Sequence, residues 1–156
     1  MLEQDLNVLL ATTFAFALKS QRYPNAQFNV QTAAIPEISV NAAQYATPQR
    51  TIEVSGDKVT YSPFTCTFLV DENLENYHEI HDWLVGLVVE PDNRDTRKVR
   101  DMTLFVLDSH NNVSREIQFV NAFPTSLSTL DFDAKNTDVQ YLVADVTFSY
   151  SYYKIG

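Results

Sequence analysis

The stretch that decides the fold is Leu142-Val143-Ala144-Asp145-Val146-Thr147-Phe148-Ser149-Tyr150-Ser151-Tyr152. Its even positions are Leu, Ala, Val, Phe, Tyr and Tyr, and its odd positions are mostly Asp, Thr and Ser. A period of two over this length predicts a strand with one face in a core and the other in water, as in an antiparallel sheet. The same alternation governs Phe64-Thr65-Cys66-Thr67-Phe68-Leu69-Val70 and, more weakly, Thr13–Leu18.

Working outward, Arg22-Tyr23-Pro24-Asn25 has turn chemistry, so Thr13–Leu18 and 26–34 are expected to form a hairpin that Ile35-Pro36 ends. From Ile38 to Lys58 the period fades, and the segment reads as a long loop with Thr51–Val54 briefly extended and a turn at Ser55-Gly56-Asp57. Val59–Tyr61 resumes a strand, and Pro63 marks an edge or a bulge. The period changes over residues 72–89. Leu74, Tyr77, Ile80 or His81, Leu84, Leu87 and Val88 recur every three to four residues, which predicts a helix capped by Asp71 or Asn73. Beyond a charged connector, Pro91–Arg100, come strands at Met102–Leu107 and Arg115–Val120. A polar turn, Asp108–Asn112, joins them, and Ala122–Leu127 is expected to cross over. The sum is six to eight strands and one helix in a single domain, residues 1–156: a mainly β, antiparallel sandwich or barrel with one flanking helix.

Composition excludes several chemistries. With three glycines in the chain, 56, 86 and 156, no glycine cluster exists to cradle a phosphate. A formal charge of −9 leaves no basic surface for gripping nucleic acid by counterion release. The one cysteine, Cys66, falls on the apolar face of its strand and reads as core. Met1–Asp5 is acidic, unlike the start of a signal peptide, and no apolar run reaches the ~20 residues of a membrane span, so a soluble chain is expected.

No catalytic constellation emerges. His78-Glu79-Ile80-His81 lacks the four-residue spacing of the His-Glu-x-x-His zinc motif, so no metal is expected there, and His110 sits in a turn. The acidic pairs Asp71-Glu72, Asp92 with Asp95 and Asp131 with Asp133 read as caps and turns. No cofactor is expected, and no enzyme.

Taken in order, Arg50–Lys58 with its Gly56-Asp57, Phe64–Glu72 ending in an acidic pair, His81-Asp82-Trp83-Leu84 on the helix, Ala122–Leu127 and Val146–Tyr153 resemble the tail-tube proteins of contractile-tailed phages. The resemblance covers about residues 50–153. It implies a hexameric ring; stacked rings would form a tube that conducts DNA without binding it specifically, usually inside a contractile sheath. The implied partners are other copies of the chain, the sheath, and baseplate or neck proteins, in a virion tail assembled in the host cytoplasm. Tube initiators, tube terminators and type VI secretion tubes share the pattern. The expected main role is a stacked-ring tube. The alternatives are an initiator or terminator ring at one end of the tail, and a monomeric β-sandwich module that binds carbohydrate or protein through Tyr-rich loops. Ring contacts are expected from the 38–58 loop, through Tyr45, Pro48, Ile52, Val54, Gly56 and Asp57. The sheath is expected to meet Glu75, Glu79 and Asp82 on the helix.

Overall fold

The computed structural model describes residues 14–18, 30–89, 99–135 and 140–156. The expected turn at Arg22–Asn25 and most of the connector at 91–100 lie outside them. The described strands are β1 (Phe14–Leu18), β2 (Val30–Ala33), β3 (Ile38–Ala46), β4 (Thr51–Tyr61), β5 (Phe64–Leu69), β6 (Arg100–Leu107), β7 (Val113–Leu127), β8 (Val143–Ser149) and β9 (Tyr152–Ile155), with helix α1 (Glu75–Val89) between β5 and β6. The protein is mainly β with antiparallel pairing. Seven strands make one sheet in the order β1-β6-β7-β8-β5-β2, with β9 beside β7, while β3 and β4 pair only with each other. Among the described residues the path is open, so the barrel alternative gives way to a bent, two-part sheet. The expected hairpin of the first two strands does not form: β1 pairs with β6 and β2 with β5, at opposite ends of the path.

The core follows from the alternation. Phe64, Cys66 and Phe68 of β5 lie opposite Phe148, Val146 and Ala144 of β8, and all six side chains are buried. The outward face of this pair is polar, with the Thr65 and Thr147 hydroxyls 3.3 Å apart and Thr67 donating to Asp145. Met102 and Leu104 of β6 and Ile117 and Phe119 of β7 complete the cluster, and the Phe64 and Phe119 ring centroids are 4.7 Å apart. Burial, with a smaller contribution from the Asp145 charge, pushes the Cys66 thiol up to about 12, so it is an inert core group at neutral pH.

One strand joins the two parts of the sheet. The segments expected as a strand and a crossover are a single 15-residue strand, β7. Its buried positions change parity from Ile117 and Phe119 to Ala122 and Pro124. Asn121 makes the change, with a left-handed φ of 55°, and its N–H donates to Asp101 Oδ1 at 3.2 Å. Asn tolerates that region better than most residues. The neighbouring strand turns with it. β8 pairs with Phe123–Leu127 and β9 with Ile117–Val120, and between them Ser151 N–H donates to the Val120 carbonyl. The sequence alternation through Tyr152 therefore breaks at a bend, and Tyr153 rather than Tyr152 packs against the core. Pro124 is accommodated because the ladder slips beside it, between Pro124 and Ser126.

Helix α1 lies against β7 and buries Asn76, Ile80 and Trp83, with Leu87 further along the same line and Trp83 against Phe148 of β8. The helix is rotated from the expected stripe: Leu74 and Val88 are exposed. Leu74 precedes the first turn at φ 59°, and its carbonyl accepts from His78 N–H. Asn76, fully buried, ties the helix to the end of β5. Its Oδ1 accepts from the Asp71 and Tyr77 N–H groups, and its Nδ2 donates to the Leu69 carbonyl at 2.7 Å. No helix among the described residues is long and apolar enough to cross a membrane.

Candidate assembly site

Residues 38–58, expected as a loop, form most of a long hairpin. Ile38 pairs with Tyr61 at its foot and Ala46 with Thr51 at its tip. Pro48 lies in the tip, which Thr47 closes: its N–H donates to the Arg50 carbonyl and its Oγ1 accepts from Arg50 N–H. The expected turn at Gly56-Asp57 is a bulge in β4, where the register slips opposite Asn41. Glycine is required there by crowding: a Cβ on Gly56 would stand 2.0 Å from the Asn41 carbonyl oxygen.

The cross-strand pairs Ala43–Val54 and Tyr45–Ile52 place Tyr45, Ile52 and Val54 on one face. Those three side chains are 66%, 38% and 47% exposed, and every residue of β3 is exposed. A two-stranded ribbon with an uncovered apolar face is marginal by itself in water.

The foot of this arm is fixed firmly. Tyr61 meets Tyr150 and Tyr153 edge-to-face, with centroids 6.0 and 5.3 Å apart. Tyr150 OH donates to the Ser62 carbonyl at 2.6 Å and Tyr153 OH to the Pro36 carbonyl at 3.1 Å. Burial first, then the neighbouring Tyr153 and Tyr61, pushes the Tyr150 phenol up to about 12, so it stays a donor across the physiological range. Sequence periodicity missed this anchor because Tyr150 and Tyr153 lie on either side of the bend; the signal was the density of tyrosines itself.

The second group of expected contacts lies on α1. Glu75 and Asp82 are exposed and Glu79 is half-buried. Asp82 is engaged by both helix histidines, His78 Nε2 at 3.1 Å and His81 Nδ1 at 3.6 Å. The structure does not join these acids to the arm in one site; they are two separate surfaces.

A family model described as "Phage tail tube protein" matches residues 5–156. The chain belongs to that family. It is a structural component of a phage tail and not an enzyme. The tail tube terminator protein of Enterobacteria phage T4 is 24% identical to it over 162 residues, spanning 99% of this chain and 92% of the relative. The sheath/tube terminator of an extracellular contractile injection system in its extended state has the same fold, with TM-score 0.73, 16% identity and 96% of each chain covered. So does the tube-terminating cap of the anti-feeding prophage, with TM-score 0.71, 16% identity and coverage of 96% of this chain and 91% of the cap.

Proposed function

We propose that this tail protein is a tube terminator: a ring of its own copies that caps one end of the tail tube and stops its growth. The observation that carries this reading is the likeness, across nearly the whole of both chains, to the phage T4 tube terminator. The shared fold of two further terminating proteins supports it. That likeness supports it over the stacked-ring tube, the role the sequence alone favoured.

In this reading the β3–β4 arm supplies the contact between copies. Tyr45, Ile52 and Val54 bring the apolar face, Pro48 and the tip set its end, and the Gly56-Asp57 bulge sets its twist. Covering that face is what a second copy contributes, and the hydrogen bonds at the foot hold the arm out without further ordering cost. The ring is hexameric, DNA passes through it without specific recognition, and assembly takes place in the host cytoplasm. The α1 surface with Glu75, Glu79 and Asp82 is offered to the sheath or to a neck or baseplate neighbour. The acidic balance of the chain suits a conduit wall, since like charge keeps DNA from adhering.

Electron microscopy of the purified full chain tests both parts. Isolated rings that do not elongate at any concentration are expected. Removing residues 43–54 and closing the shortened arm with Asn-Gly should leave a folded monomer that forms no ring. Long tubes from the unaltered chain would restore the stacked-ring role, and rings from the shortened chain would move the interface to the sheet edges.

A further inference from the structure

His78 and His81 lack the His-Glu-x-x-His spacing and by themselves offer two ligands, but the helix supplies a third. His78, His81 and Asp82 stand at i, i+3 and i+4 on one turn of α1. One donor atom from each lies within 4.8 Å of the other two. The carboxylate sits between the imidazoles, 3.1 Å from His78 Nε2 and 3.6 Å from His81 Nδ1, and the rings are nearly parallel with centroids 6.4 Å apart. Donors bound tetrahedrally to zinc at about 2.0–2.1 Å lie roughly 3.3 Å from one another, so small side-chain rotations bring all three onto one ion. The set has the composition of three-protein-ligand zinc sites, two imidazoles and a carboxylate, and imidazole favours zinc, nickel and copper over magnesium or calcium.

A fourth ligand has room. Both imidazoles line an open recess of about 420 Å³, together with Asn73, Leu74, Glu75 and Tyr77. We infer that His78, His81 and Asp82 form a surface site for one zinc-class divalent ion, with water in the remaining position. The site is held by backbone geometry rather than by burial, because Ile80 and Trp83 lock the opposite face of the same turn into the core.

Isothermal titration of the chelator-treated full chain with zinc chloride tests the assignment, with copper(II) as a spectroscopic probe. One saturable equivalent per chain is expected. His81→Ala and Asp82→Asn should each weaken it by about tenfold or more, while His110→Ala leaves it unchanged. All three ligands are exposed, so the variants should keep the circular dichroism of the parent. Electron paramagnetic resonance of the copper form should show two coordinated imidazoles, and one in His81→Ala. No saturable uptake, or uptake indifferent to His81→Ala, would overturn the site and leave Asp82 as a plain ion-pair partner.

Discussion

The pairs β5–β8 and β3–β4 are built on the same plan and meet opposite fates. Both are antiparallel, and both gather apolar side chains on one face, Phe64, Cys66 and Phe68 in β5 and Tyr45, Ile52 and Val54 in the arm. In β5 that face, Phe64, Cys66 and Phe68, is at most 3% exposed, whereas in the arm Tyr45 is 66% exposed. Alternation therefore specifies a face but not what covers it. The β5–β8 face closes against β6, β7 and α1 of its own chain, and the arm's face stays exposed.

The largest break in that comparison should come from the covered pair. Phe148→Ala should cost about 3–5 kcal/mol in denaturant melts, the usual range for a large aromatic deleted from a core. A loss under ~1 kcal/mol would mean that the β8 face is less tightly packed than its burial indicates. Next is Asn76→Ala, which leaves the Leu69 carbonyl and Asp71 N–H without the side-chain partner that joins β5 to α1. About 1–3 kcal/mol should be lost in the same melts, and a neutral result would show water replacing the amide.

Gly56→Ala should act within the arm alone. The new methyl must displace the Asn41 backbone, so amide hydrogen exchange should accelerate along β3 and β4 while the global melt barely moves. Unchanged exchange would mean that the bulge relaxes freely. The smallest effect on the monomer is expected at Tyr45→Ala, within about 0.5 kcal/mol, because the side chain is exposed. Its consequence should appear in ring formation, measured by sedimentation velocity. A monomer that melts much earlier would show the arm folding back on its own sandwich.

Much of the fold was legible because β5, β8 and α1 carry clean periods. Phe64 to Phe68 and Ala144 to Phe148 alternate without interruption, and Ile80 and Trp83 fall on a helical spacing. The arm was illegible for a physical reason: beyond its foot at Tyr61 almost every residue is exposed, so the small and polar residues at 41–44 and 55–58 show no buried-face period. The β7 strand was cut in two by Pro124 and by the parity change at Asn121, both of which ordinarily signal a strand end. At the surface sites, sequence could nominate Tyr45, Ile52 and Val54 separately; that they share a face depends on the tip at residues 47–50, which sets the Tyr45–Ile52 and Ala43–Val54 register. Asp82 escaped notice as a partner of the histidines because a carboxylate next to His81 in sequence looks like one more solvated acid.

The strand that belongs to both parts of the sheet has a mechanical consequence. β7 pairs with β6 along one side, and with β9 and then β8 along the other. A load applied between the two parts cannot peel them apart one hydrogen bond at a time, because a continuous backbone runs through the junction. It must instead slide β7 lengthwise past its neighbours, breaking many bonds at once. The junction is thereby built to bear force in shear, the direction in which a ladder of hydrogen bonds resists most.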